Sequence, residues 1–352
     1  MSSLRTIANI PVQSGYPMTI RKKTRLLRAI VVNKFRPSVP FLRIIPTDYC
    51  NLSCSYCWQH SSDTHGMSNE VFVACLENAL KLDVGMVSFL GGEPTLWPHL
   101  SSAIRLCTGH DLPTDITTNG SRLDENTLGQ FMEAGLDLLN ISVDGLTPTG
   151  SSRKCALSQP GLLKLLSSIA RSGVMRVRMN AVICKSNWPF IQELLELSRN
   201  AGIPISIGYV MPASRNEFDG AIHFGPDDIG LVNQINGHIQ EARRSGTRII
   251  DPMEYFSGYE RFLRRERFWL CNYATRRGWI NVDPYGHVRD CTKKMARLNY
   301  QFSKLARDEI VPLRRALADG VETCNRDCYS NCAFDGAYFA KHKIQLLKSG
   351  IV

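Results

Sequence analysis

Asp48-Tyr49-Cys50-Asn51-Leu52-Ser53-Cys54-Ser55-Tyr56-Cys57-Trp58 is the stretch from which the rest of the chain can be read. Three cysteines stand within eight residues, separated by three residues and then by two. A loop of that length can bend three thiolates onto one centre. Soft thiolates select zinc, Cu(I) or iron–sulfur clusters. A 4Fe–4S cluster ordinarily takes four thiolates, one per iron. The local run supplies three, which leaves one iron open to a ligand that is not protein. Two other readings stay open at this point. One is a zinc knuckle, since zinc usually takes four ligands and His60 stands nearby. The other is a set of buried free thiols.

Upstream of the loop, residues 41–46 form a short apolar run, as expected of a strand buried on both faces. Downstream, strand-then-helix units repeat. Ser68 stands at an N-cap position, and Phe72, Leu76, Ala79 and Leu80 recur at helical spacing. Further strands are predicted over 86–90, 115–118, 138–143, 176–183 and 205–210. Helices are predicted over 99–107 and 124–134, after Pro160 in a first helical turn, and after Asn187 as a cap. Six such units, joined by right-handed crossovers, build a parallel sheet with helices outside. The predicted fold is α/β: a partial (β/α)6 barrel with a small C-terminal Cys-rich iron–sulfur extension. The expected organisation is a basic N-terminal arm over 1–40, the barrel over 41–250, and a linker helix with the extension over 251–352.

In barrels of this kind chemistry sits at the C-terminal strand ends, and four motifs fall there. The cysteine loop follows the first strand, Gly91-Gly92-Glu93-Pro94 the second, and Thr118-Asn119-Gly120 the third, while Ser142-Val143-Asp144-Gly145 ends the fourth. Two glycines let a backbone come close to a bound ligand. Free carbonyls at a strand end accept from an ammonium, and Glu93 adds charge of the matching sign. Alone, a Gly-Gly turn is an ordinary structural feature.

The cysteine spacing with Tyr56, followed about one unit later by Gly91-Gly92-Glu93-Pro94, resembles the paired signature of the radical S-adenosylmethionine (SAM) enzymes. The resemblance implies that Cys50, Cys54 and Cys57 hold a 4Fe–4S cluster whose open iron binds the amino and carboxylate groups of SAM. It also implies that Gly91, Gly92, Glu93 and Pro94 contact the SAM amino group and that Tyr56 packs near adenine. Thr118 and Asn119 would lie near the ribose, and Ser142 and Asp144 near the ribose or the methionine carboxylate. Asn180 on strand five would face SAM, and Met211, with Val210, would border adenine. The chemistry implied is one-electron reduction of SAM to methionine and a 5′-deoxyadenosyl radical, which then attacks a substrate. The protein positions the reactants and excludes water and oxygen.

A second cysteine set lies after the barrel. Two strands are read around the turn Pro284-Tyr285-Gly286, with Cys271 before them and Cys291 at the outgoing end. Cys324, Cys328 and Cys332 follow, three residues apart. This resembles the SPASM and twitch extensions of radical SAM enzymes and implies a second, auxiliary 4Fe–4S cluster. A full SPASM domain has more cysteines and two clusters. Five thiols suffice for one cluster with one to spare, and a four-cysteine zinc site is the alternative. The ending Cys328, Cys332, Ala333, Phe334, Asp335 also resembles the C-terminal portion of the hopene adenosyltransferase group. Between barrel and extension, Tyr255, Phe256, Tyr259, Phe262, Phe268 and Trp269 alternate with Arg261, Arg264, Arg265 and Arg267. Helical spacing reads these as a linker helix with buried aromatics and solvated arginines. A clamp on an anionic or aromatic substrate is the other reading.

At 352 residues the chain can bury a full core. No apolar run approaches the ~18 residues of a membrane span, and the N-terminus lacks the apolar region of a secretory signal. Twelve cysteines without an export signal argue against a disulfide framework and for a cytoplasmic protein. The net charge of +10 is placed unevenly. No Asp or Glu precedes Asp48, while Arg5, Arg21, Lys22, Lys23, Arg25, Arg28, Lys34, Arg36 and Arg43 do. This arm is read either as attracting an acidic partner, a phosphate-bearing substrate or an anionic surface, or as covering the barrel's open side or bottom. It has few aromatics to stack bases and no recognised nucleic-acid-binding motif, so no nucleic acid is expected as partner. The expected function is reductive SAM cleavage to modify an unactivated carbon of a small-molecule biosynthetic intermediate, with flavodoxin or ferredoxin as electron donor. A peptide-modifying maturase of the SPASM type and a lipid adenosyltransferase are the alternatives. The arm is too short for a separate peptide-recognition domain, which favours the small molecule.

Overall fold

A computed structural model describes residues 18–36, 38–57, 59, 61–212, 218–266, 268–269, 271, 279–291, 296–319 and 328–341. Six strands form its centre: β1 (Phe41–Ile44), β2 (Met86–Phe89), β3 (Thr114–Thr118), β4 (Leu138–Ser142), β5 (Arg176–Ile183) and β6 (Ile205–Tyr209). Each pairs in parallel with the next. The intervening helices are α2 (Asn69–Lys81), α3 (Leu100–Gly109), α4 (Glu125–Ala134), α5 (Leu162–Ser172) and α6 (Ile191–Ala201). Ahead of them stands α1 (Ile20–Phe35), and after β6 come α7 (Ile229–Arg244) and α8 (Met253–Leu263).

Strand alternation explains the core. Leu42, Ile44, Val87, Phe89, Ile116, Leu139, Ile141, Val177, Met179, Ile205 and Ile207 join one buried cluster with Phe72, Leu76, Ile104, Leu128, Phe131, Leu166 and Leu194 of the helices. The intervening strand positions carry Arg43, Ser88, Asp115, Asn140, Arg178, Asn180 and Ser206, so the inner face of the sheet is polar. There Arg178 donates to Asn140 Oδ1 at 2.6 Å, and Asn140 donates to Asp115 at 2.9 Å. Helix starts follow capping chemistry: Thr19, Ser68 and Asp124 accept from the amides of Lys22, Val71 and Thr127. Two expected starts differ. Gly161 at φ +79°, rather than Pro160, precedes α5. Asn187 opens a 3₁₀ turn ahead of α6, its side chain spent on Cys184 N and Val182 O.

The expected C-terminal hairpin is present as β7 (Ile280–Val282) and β8 (His287–Arg289), and a third strand, β9 (Arg297–Gln301), was not anticipated. β7 runs parallel to β1, so the strand order is β6-β5-β4-β3-β2-β1-β7-β8-β9, and the extension continues the barrel's own sheet. Helices α9 (Ile310–Asp319) and α10 (Asn331–Lys341) follow, and α10 contacts β6 and α8. The linker aromatics pack inward as helical spacing requires: Tyr255, Phe256, Tyr259 and Phe262 are buried, Arg261 pairs with Glu266, and Arg264 pairs with Glu260. Arg267 lies outside the described residues.

Part of the basic arm is structural. α1 lies against the segments that lead into β2, β3 and β4. Lys22 is buried and donates to Asp137 at 2.7 Å, to Gly135 O at 3.0 Å and to Thr108. Arg25 donates to Val84 O and His110 O. Glycines mark the tightest approach, since a Cβ at Gly85 would meet Ala29 Cβ at 2.6 Å. The helix therefore closes the end of the barrel opposite the cysteine loop. Among the described residues no helix is long and apolar enough to cross a membrane.

Candidate active site at the cysteine loop

The cysteine loop leaves β1 and is held on four sides. Gly92 N donates to Thr47 O at 2.9 Å, and Glu93 N donates to Tyr49 O at 2.8 Å. A Cβ at Gly92 would fall inside the van der Waals radius of Tyr49 O, and one at Gly91 would lie 2.6 Å from Thr47 O. The two glycines are thus required first by the backbone of the cysteine loop itself. From the residue that follows β3, Asn119 Nδ2 donates to Asn51 Oδ1 at 3.0 Å. From the segment after β4, Ser151 O accepts from Ser55 N at 3.1 Å. From β8, Arg289 forms a bidentate pair with Asp48 at 2.8 and 2.6 Å.

Glu93 is buried. One oxygen accepts from Thr95 N at 3.0 Å, Thr95 Oγ1 at 2.6 Å and Thr118 Oγ1 at 2.6 Å, and the other from Asn119 N at 2.7 Å. Burial raises its pKa, against the hydrogen bonds that favour the carboxylate. Glu93 therefore staples the Gly-Gly turn to the end of β3, and Pro94 begins a 3₁₀ turn at its side.

Asp144 plays the matching part at β4. It accepts from the Tyr56 hydroxyl, from Ser152 Oγ at 2.6 Å and from Val182 N at 2.8 Å. Tyr56 is fully enclosed, and burial, then the Asp144 charge, pushes its hydroxyl well above the ordinary range. The Lys154 ammonium stands 5.1 Å from the Tyr56 ring centre. Burial pulls Lys154 down, but the facing Tyr56, Asp144, Cys57 and Cys54 outweigh it and hold its pKa well above the usual value. Cys54, Tyr56, Cys184 and Val210 form a small apolar cluster of their own. Ser142 pairs in register with Asn180 on the inner face. Met211 is buried, and its sulfur accepts from Tyr329 N at 3.2 Å.

The donor set fits a thiolate-held cluster. Leu52 N lies 3.4 Å and Asn119 Nδ2 3.6 Å from Cys50 Sγ, and Arg153 N lies 3.2 Å from Cys54 Sγ. Amide donors aimed at sulfur favour the thiolate, whereas burial alone pushes both thiols up. Among the described residues no three His, Cys, Asp or Glu side chains stand as a ready metal site. Of the C-terminal thiols, Cys271 and Cys291 are half-buried beside the main core, Cys328 is buried and Cys332 is exposed. Cys324, Trp58 and His60 lie outside the described residues. Sequence reading missed Ser152 and Lys154, which belong to no motif, and the Asp48–Arg289 pair, both of whose members lie within segments it singled out.

The model of the radical SAM superfamily matches residues 44–224. The chain is 34% identical over 185 residues to a probable GTP 3′,8-cyclase of Methanosarcina acetivorans, covering 49% of this chain and 54% of that one. It is 29% identical over 160 residues to PqqA peptide cyclase of Gluconobacter oxydans, covering 44% and 45%. It thus spans about half the length of the curated relatives it matches. Its fold resembles Streptococcus suis SuiB bound to precursor peptide SuiA, at TM-score 0.60 and 17% identity over 83% of this chain and 70% of that one. It also resembles anSMEcpe with bound AdoMet and Cp18Cys peptide, at TM-score 0.57 and 18% identity over 88% and 96%. Matches of that extent show a fold likeness that reaches beyond residue 224 into the chain that follows the barrel. Since the family model covers just over half of the 352 residues, the chain belongs to the radical SAM superfamily.

Proposed function

We propose that this radical SAM enzyme acts on a peptide. The observation that carries the reading is the extent of the fold likeness. Similarity to peptide-bound SuiB and anSMEcpe spans 83% and 88% of the chain. The sequence match to the GTP cyclase covers 49% of the chain. The small-molecule reading rested on the shortness of the N-terminal arm. That argument weakens when a substrate can be recognised by the barrel and its extension.

In this reading Cys50, Cys54 and Cys57 hold the cluster. Gly91, Gly92, Glu93 and Pro94, with Tyr56, Thr118, Asn119, Ser142, Asp144, Asn180 and Met211, border SAM. The bound cluster and SAM supply one-electron cleavage of a carbon–sulfur bond. The chain's own contribution is positional. Glu93 and Asp144 each tie a strand end to a neighbouring loop, so the cysteine loop is fixed before any ligand arrives. The polar inner face from Arg43 to Ser206 offers hydrogen-bonding groups to a substrate below. Four of the five thiols Cys271, Cys291, Cys324, Cys328 and Cys332 hold an auxiliary 4Fe–4S cluster, and a flavodoxin or ferredoxin supplies electrons.

The test is anaerobic reconstitution with reductant and SAM, in the presence of GTP or of short peptides encoded beside the gene. A cognate peptide is expected to raise 5′-deoxyadenosine formation and to change mass. Cys50→Ala, Cys54→Ala and Cys57→Ala should each abolish SAM cleavage. Turnover of GTP to a cyclised product, with no response to any peptide, would return the function to small molecules.

A further inference from the structure

α1 closes the barrel with one face, and none of the described residues covers the other. Ile20, Leu27, Val31 and Phe35 fall on a single stripe of the helix, at spacings of seven, four and four, and are 83%, 49%, 47% and 85% exposed. A monomer rarely leaves four bulky apolar side chains aligned on one exposed helix face. Arg21 and Arg28 border one side of the stripe and Lys23 the other, all on the exposed side of the helix. The inward positions are filled by Lys22, Leu26 and Ala29, which are buried. The helix contains no acidic residue. Asp83 and Asp111 line the groove beside the helix. Asp83 is met by Arg36 at 3.7 Å and by Arg307 at 3.2 Å, and Asp111 faces Arg25. The charge presented with the apolar stripe is therefore positive.

An apolar stripe with cations on both shoulders is the pattern by which a helix lies in the interface of an anionic bilayer. We infer that α1 docks the folded protein peripherally on an anionic lipid surface, with Ile20, Leu27, Val31 and Phe35 entering the headgroup boundary and Arg21, Lys23 and Arg28 meeting lipid phosphates. An acidic protein would satisfy the cations, but it would need an apolar groove to cover the stripe. A second copy of this helix would bring like charges together. Because α1 lies at the end of the barrel opposite the cysteine loop, docking leaves the candidate active site facing away from the membrane. Binding by such a helix scales with its buried apolar area and with its attraction to anionic lipid, so the contact depends on lipid charge.

Co-flotation of the full chain tests this with vesicles of phosphatidylcholine alone and of phosphatidylcholine and phosphatidylglycerol in equal parts. Binding to the anionic vesicles should exceed that to the neutral ones by roughly tenfold at low salt and fall as salt rises. Leu27→Asn combined with Val31→Asn should reduce it by roughly tenfold. Both positions are half-exposed and lie at the end of the barrel opposite the cysteine loop, so SAM cleavage should be unchanged and the thermal midpoint should fall by no more than a few degrees. Equal partition between the two vesicle types, or unchanged binding by the double variant, overturns the proposal. So does self-association of the wild type that the double variant abolishes, which would give the stripe to a second copy.

Discussion

A methyl group at Gly92 has no room, because the carbonyl of Tyr49 already occupies its position. The consequence is local and severe. Gly92→Ala must push the start of the cysteine loop aside, breaking the bonds from Gly92 N to Thr47 O and from Glu93 N to Tyr49 O. Overpacking of this kind costs about 1–3 kcal/mol, and loss of two buried hydrogen bonds adds to it. The variant is expected to bind iron poorly at the first site and to melt several degrees lower. Gly109→Ala, where a Cβ meets nothing within 4 Å, is the control. Normal iron content and SAM cleavage in Gly92→Ala would show that the loop adapts. At this scale much was legible. The cysteines, the glycine pair, Glu93 and Asp144 were singled out by motif. The contacts among them were not, because hydrogen bonds such as that from Tyr56 to Asp144 join residues 88 positions apart and leave no local pattern.

Elements were legible where burial and spacing act along one stretch of chain, as in β5, which spans the same residues as expected from sequence. Their pairing partners were less so. Residues 279–290 read as a hairpin, yet nothing in them tells that β7 adds to β1. α10 is a further case. Its Asn331 donates to Asp251 Oδ1 at 3.2 Å, and Asp335 shares a hydrogen bond with the same carboxyl group. Asp251 is fully buried and also accepts from Ile207 N at 2.6 Å and Ser206 at 3.0 Å, so the pair fastens α10 to β6. Burial, then the neighbouring Asp251 charge, raises Asp335 well above the carboxylate range, with Cys332 adding to the rise and Arg178 opposing it. The folded state therefore keeps a proton that the unfolded chain has released. Stability from this contact is full below the ordinary Asp pKa and declines as pH rises through the folded value. Asp335→Asn preserves a neutral donor and removes that decline. The wild type should lose more thermal stability than the variant between about pH 5 and about pH 8. Parallel melting-against-pH curves would show that the pair does not govern this end of the molecule.

Across the whole molecule, the separation of barrel from extension breaks down at one ion pair. Arg289, on β8, is 8% exposed at its side chain, and it reaches Asp48, two residues before the first cysteine. It also lies 3.7 Å from Asp283, which in turn meets Arg297 of β9 at 2.7 Å. The three-stranded C-terminal unit thus holds the cysteine loop by its root. A strict division, in which the extension serves the substrate and the barrel serves SAM, predicts that changes in β8 leave SAM cleavage intact. The geometry predicts otherwise. Arg289→Ala leaves Asp48 without its bidentate partner and Asp283 with one fewer cation, and a half-buried carboxylate so exposed to its neighbours pulls away toward water. The expected result is loss of iron from the first site and a fall in SAM cleavage of roughly tenfold, although Arg289 is 241 residues from Asp48 in sequence. Asp48→Asn should do the same. The double variant should be little worse than either single one, with a coupling of about 1–3 kcal/mol, since each change removes the same contact. Arg289→Lys, which keeps charge but not the planar fork, should recover only part of the activity. If the two single effects add, or if SAM cleavage is untouched while substrate turnover falls, the loop is held by its other three sides and the extension acts on the substrate alone.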